Sequence, residues 1–136
     1  MIKIVVIDGQ GGNIGKQLVK KIKENVPEVT IRAIGTNSIA SENMLKAGAN
    51  EIATGSNAVI VSSKWADIIV GPIGIVVPDA LLGEVDTNMA KAISSSSAKK
   101  VLIPMNKCDI NVAGSKKLNT SELIDDAIDL INDIIK

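Results

Sequence analysis

The chain has 136 residues, enough for one domain with its own core, and its 15 Lys and Arg are balanced by 15 Asp and Glu. A formal net charge of zero gives no long-range attraction to nucleic acid or to an anionic membrane, and no apolar run approaches the ~20 residues of a membrane span. Histidine and tyrosine are absent, which excludes Ser-His-Asp triads, histidine zinc sites and the Tyr-x-x-x-Lys proton donor of short-chain dehydrogenases.

Ile4-Val5-Val6-Ile7 is an apolar β-branched run that reads as a buried strand. It leads through Asp8 into Gly9-Gln10-Gly11-Gly12-Asn13-Ile14-Gly15, and an amphipathic helix follows with Ile14, Leu18 and Ile22 on one face. Strand, glycine turn and helix form the phosphate-binding corner of a Rossmann-type fold. Glycine lets the backbone turn tightly and approach a ligand, while the helix start presents unpaired N–H groups and a positive dipole end to an anion. Gly9, Gly12 and Gly15 satisfy G-x-x-G-x-x-G, a spacing that resembles the fingerprint of extended short-chain dehydrogenases. The stricter G-x-G-x-x-G is broken at Ile14 or, one residue on, at Gln10. Gln10 and Asn13 add side-chain donors, and Asp8 is placed to fix the turn, to hold a metal or to repel an extra phosphate. The alternative is a glycine turn that binds nothing.

Pro27 marks a turn before the second strand, Val29 to Ile34, in which Arg32 implies that one face reaches solvent or a partner. NAD enzymes place an acid near the end of this strand for the ribose hydroxyls. Here stand Thr36, Asn37 and Ser38, polar but uncharged; Thr36 and Asn37 are expected to meet a ribose or base. Asn37 or Ser38 caps a helix through Met44, Leu45 and Ala47, ended by Gly48. Ala49 to Ile52 is ambiguous. Thr54-Gly55-Ser56-Asn57 starts a helix across Ala58 to Trp65, although Ala58 to Val61 also fits a strand. Asp67 to Val70 is a strand that runs into Gly71-Pro72-Ile73-Gly74, a tight loop that is either a rigid connector or a ligand wall. Ile75 to Leu82 is apolar but broken by Pro78, and reads as core or subunit interface. With a mean hydropathy of +0.27, the apolar stretch Ile73 to Leu82 predicts a homo-oligomer, a dimer first.

Thr87 caps a helix carrying Met89, Ala90 and Ile93, and Ser94 to Ser97 form its solvated end. Lys100 to Pro104 is a further strand, followed by Met105-Asn106-Lys107-Cys108-Asp109; Ile110 to Ala113 suggests an edge strand. Asn106-Lys107-Cys108-Asp109 matches the N-K-x-D guanine-reading motif, but the phosphate motif G-x-x-x-x-G-K-[ST] fails. Gly15 and Lys16 fit it, while Gln10 and Gln17 stand where glycine and a hydroxyl are required. Cys108 has no histidine to activate it, so it is not expected to be a nucleophile. One cysteine also rules out an internal disulfide and suits a reducing compartment, and the immediate first strand leaves no room for a signal peptide; a cytoplasmic protein is expected. Asn119 opens a capping box with Glu122. The last helix carries Ile124, Ala127, Ile128, Ile131, Ile134 and Ile135 on one face, and its aspartates form a solvated face rather than a metal site.

Five stretches taken together carry a resemblance: Asp8 to Gly15, Ala47-Gly48-Ala49-Asn50-Glu51, Thr54 to Ala58, Asp67 to Gly74, and Leu102 to Asn106. In these the chain resembles a small bacterial family of uncharacterised Rossmann-like proteins. The resemblance implies a Rossmann-like fold over essentially the whole chain and assigns no activity. The expected architecture is a three-layer α/β/α sandwich with a mainly parallel sheet of about five strands, one domain over residues 1–136. The expected function is nucleotide or dinucleotide binding, with phosphates at the Gly9–Gly15 turn. Thr36, Asn37, Gly71, Pro72, Ile73 and Asn106 would surround the ligand on the same rim, and NAD(P) or another nucleotide is the candidate cofactor. The rival readings are a structural or regulatory homo-oligomer with an empty turn, and a small NAD(P)-linked or nucleotide-using enzyme working through Asp8, Lys107 or Cys108.

Overall fold

β-Branched runs supply the sheet: β1 (Ile2–Asp8), β2 (Val29–Gly35), β3 (Glu51–Thr54), β4 (Ile68–Pro72) and β5 (Lys99–Ile103). These are seen in a computed structural model that describes residues 1–105 and 109–136. Among the described residues the strand order is β3-β2-β1-β4-β5 and every pairing is parallel. The sheet is thus wholly rather than mainly parallel. Ile4, Val5, Val6 and Ile7 are fully buried, as a central parallel strand covered on both faces requires.

α1 (Asn13–Asn25), α2 (Ser38–Lys46) and α5 (Thr120–Ile135) cover one face. Leu18, Ile22, Met44, Ile124 and Ile131 pack there on Ile4, Val6 and Ile31. α3 (Ser56–Trp65) and α4 (Thr87–Ser95) cover the other, with Val59, Met89 and Ile93 against Val5, Ile7 and Ile69. The result is a three-layer Rossmann-like sandwich whose core is aliphatic. From β1 the chain moves outward through β2 to β3, then returns to place β4 on the other side of β1. That reversal opens a crevice at the carboxyl ends of β1 and β4, where doubly wound sheets bind ligands.

Local chemistry sets most boundaries. Asn37 caps α2 by accepting from the Ala40 N–H at 3.0 Å, and the Asn119–Glu122 capping box is complete. The fourth helix corrects the expectation: its cap is Asp86, which accepts from the Met89 N–H at 2.8 Å, and Thr87 is its first helical residue. Ala58 to Val61 lie in α3, and the ambiguous stretch resolves into β3, starting at Glu51. Residues 110–113 form no strand; they run irregularly into the 3-10 turn Ser115–Lys117. Arg32 stacks on the Trp65 ring, 3.7 Å from its centroid, and pairs with Glu51 at 2.7 Å. Its face of β2 reaches solvent, as expected, but the guanidinium is held there by a cation–π contact and a half-exposed ion pair. Of the apolar stretch after Pro72, Ile75 and Ala80 are buried and Leu82 is 95% exposed. Among the described residues no helix is long and apolar enough to cross a membrane.

Candidate functional site

The site grows from the end of β1. Asp8 is buried, and its two carboxylate oxygens accept from the N–H of Gly9 at 2.8 Å and of Gly15 at 2.7 Å. The strand end is thereby tied to the first turn of α1, with a negative group at a helix N-terminus, where the dipole favours it. Gly12 closes the turn by donating to the Gly9 carbonyl at 2.9 Å and sits in the left-handed region at φ 71°.

The four glycines of this turn do different things. A Cβ on Gly12 would lie 2.8 Å from the Ala40 Cα, and one on Gly15 2.6 Å from the Met44 Sδ, so both admit α2. A Cβ on Gly9 would meet Thr36, Leu81 and Glu84 within 2.9 Å. Gly11 alone faces open space.

A cavity of about 700 Å³ lies over this turn, a size suited to a small-molecule ligand. Gly9 to Ile14 form its floor, and Pro72, Gly74 and Leu81 form one wall. Met105, beyond β5, and Asn119, Thr120 and Ser121, at the start of α5, form the other. Because α5 returns to the face that carries α1, both helices begin on this rim. The N–H groups of Gly11, Asn13 and Ile14 have no partner among the described residues, nor have the hydroxyls of Thr120 and Ser121. No described lining residue is Lys or Arg, so among the described residues the donors open to an anion are backbone N–H groups, hydroxyls and side-chain amides.

The sequence-predicted residues divide accordingly. Gly9, Gln10, Gly11, Gly12, Asn13, Ile14 and Pro72 line the cavity. Gly15 lies behind the turn, bonded to Asp8. Gly71 and Ile73 flank Pro72 outside the lining; a Cβ on Gly71 would be 2.3 Å from the Ile7 carbonyl oxygen, so this glycine serves the approach of β4 to β1. Thr36 and Asn37 also lie outside it. Asn106, Lys107 and Cys108, with most of the guanine-motif match, fall outside the described residues.

Sequence reasoning missed the cavity residues Leu81, Thr120 and Ser121, and beside the turn it missed Glu84. One of its carboxylate oxygens accepts from Thr36 Oγ1 at 2.5 Å, from the Gln10 N–H at 2.8 Å and from Asn37 Nδ2 at 2.9 Å. Asn37 Nδ2 also donates to the Gln10 carbonyl at 2.8 Å. Glu84 rides on a tight loop in which Asp79, Leu81 and Leu82 all adopt positive φ (68°, 57° and 56°), conformations that side chains of this size rarely take.

Burial alone would raise the Glu84 pKa, but the hydrogen bonds from Thr36, Gln10 and Asn37 outweigh it and hold the carboxyl below its ordinary 4.5. A depressed folded-state pKa contributes stability that is present above the unfolded value and lost as pH falls through the folded one. Glu84→Gln is therefore expected to melt below wild type at neutral pH and to converge with it at an acid pH below the folded-state pKa. Melting curves at both pH values check this, and an offset that does not change with pH would contradict it.

The family model described as Domain of unknown function (DUF3842) matches residues 3–136. The chain belongs to this family. No protein with a curated description matches this DUF3842 chain. Among solved structures it is similar to a dodecameric FMN-dependent UbiX-like decarboxylase from Escherichia coli O157:H7, with a TM-score of 0.54 and 15% identity over 99% of this chain and 94% of that one. At that identity the likeness establishes a common parallel α/β fold for the DUF3842 chain.

Proposed function

We propose that the protein binds a phosphorylated nucleotide in the cavity over Gly9 to Ile14, with the phosphate on the N–H groups of Gly11, Asn13 and Ile14. One observation carries this reading: unpartnered donors at the start of α1 line a ligand-sized cavity at the switch point of the sheet. Thr120 and Ser121 add hydroxyls from the opposite side. Pro72 and Leu81 offer an apolar wall to a planar ring, and Met105 lines the wall opposite. A flavin mononucleotide suits this division of polar floor and apolar wall, and the similar decarboxylase is described as FMN-dependent. Bound there, a flavin would supply its own redox chemistry, while the protein supplies binding and orientation.

Gly11→Asp tests the reading. A side chain at this position enters open space, so stability should stay within about 0.5 kcal/mol of wild type. The new carboxylate would stand where the phosphate is proposed to lie. Titrations of FMN, followed by flavin fluorescence, are expected to show at least about tenfold weaker binding in the variant. Equal affinities would overturn the proposed site.

A further inference from the structure

We infer that the site takes a mononucleotide and rejects the matching dinucleotide, because Glu84, held by Thr36, Asn37 and Gln10, fills the place a second nucleoside would need. The inference rests on the phosphate reading of the cavity. A dinucleotide on a doubly wound sheet spans the switch point: its pyrophosphate lies at the start of the first helix and one ribose reaches the tip of β2. In this protein the β2 tip is already engaged. Thr36 Oγ1 and Asn37 Nδ2 both donate to the same Glu84 oxygen, at 2.5 and 2.9 Å, and that oxygen also takes the Gln10 N–H at 2.8 Å.

The gap between the two strand tips is closed from both sides. Asn37 Nδ2 reaches the Gln10 carbonyl at 2.8 Å, and Asn43 Nδ2 reaches the Gly11 carbonyl at 2.8 Å. The loop bearing Glu84 rests on the glycine turn itself: a Cβ on Gly9 would be 2.8 Å from Leu81 and 2.9 Å from Glu84. The open volume lies over the turn toward the end of β4, Met105 and the start of α5, and neither Thr36, Asn37 nor Glu84 lines it. A ligand with its phosphate on the turn therefore has room for one nucleoside-like group, directed away from β2. A carboxylate at the β2 tip also disfavours any further phosphate there.

Two matched pairs test this on the intact protein: FMN against FAD, and nicotinamide mononucleotide against NAD. Each pair differs by one adenylyl group. In whichever pair binds, the dinucleotide is expected to be at least about tenfold weaker. A dinucleotide that binds as tightly as its mononucleotide, and loses affinity in Gly11→Asp, would overturn this inference and leave the phosphate site standing. No binding by any of the four would overturn both. Glu84→Ala, with its fold checked by melting, is expected to narrow the gap to a few-fold. A gap unchanged in the folded variant would remove Glu84 as its cause. The wild-type comparison stands even where that variant fails to fold.

Discussion

Gly12→Val is expected to cost about 3–5 kcal/mol of stability, from left-handed backbone strain and overpacking together. Gly12 sits at φ 71°, and a Cβ there would be 2.8 Å from the Ala40 Cα. The obstacle is helix backbone, which cannot rotate aside as a side-chain end can, so α2 must shift. α2 carries Met44 into the core and Asn37 to Glu84, so its displacement would spread to the β2 tip. Such a loss is a large fraction of the roughly 5–15 kcal/mol that holds a domain folded. Denaturant unfolding of Gly12→Val beside Gly11→Ala measures it; the second variant should be near neutral. A Gly12→Val protein as stable as wild type would show that α2 can move without consequence. Any loss of nucleotide binding in this variant would follow from the damaged fold, because the added side chain would be driven into α2 rather than into the cavity.

That contrast marks where the sequence was legible. β1, the glycine turn and the amphipathic helices are encoded by neighbours in the chain. A β-branched run, a 3.6-residue period and caps acting across three residues, as at Asn37 and Asn119, are all visible without tertiary structure. β3 was not, since a four-residue edge strand with no fully buried position has little pattern to show. The apolar alternation at Ile110 to Ala113 found no partner strand. In the site, the glycine floor was legible and the opposite wall was not. Asn119 could be read as a helix cap, but its place beside the glycines follows only once α5 is known to return to the face of α1. Glu84 bonds residues 48 and 74 positions away in the chain, and nothing around it in sequence distinguishes it from a surface glutamate. Its loop holds Leu81 and Leu82 in conformations that propensity argues against, fastened by backbone bonds across the loop such as the Asp79 N–H to the Val85 carbonyl at 2.7 Å. Which glycine serves packing and which serves the ligand was likewise hidden: Gly11 and Gly12 are adjacent and identical, and only Ala40 separates their roles.

Asp8→Asn is expected to lower stability by about 2–4 kcal/mol and to weaken FMN binding with it. The aspartate accepts from two backbone N–H groups, at 2.8 Å and 2.7 Å, through different oxygens. Asparagine keeps one oxygen and turns an NH2 toward the other N–H, so either Gly9 or Gly15 loses its acceptor in a buried place. The favourable placement of a negative charge at the start of α1 is lost as well. Both changes loosen the turn that sets the Gly11, Asn13 and Ile14 donors. The same substitution has an opposite electrostatic consequence, for it removes a negative charge from beneath a site proposed to hold an anion. The sign of the binding change therefore decides between two roles for Asp8. Weaker FMN binding together with a lower melting temperature identifies it as the anchor of the turn. Tighter binding at an unchanged melting temperature would contradict that assignment and make Asp8 a charge that tunes phosphate affinity.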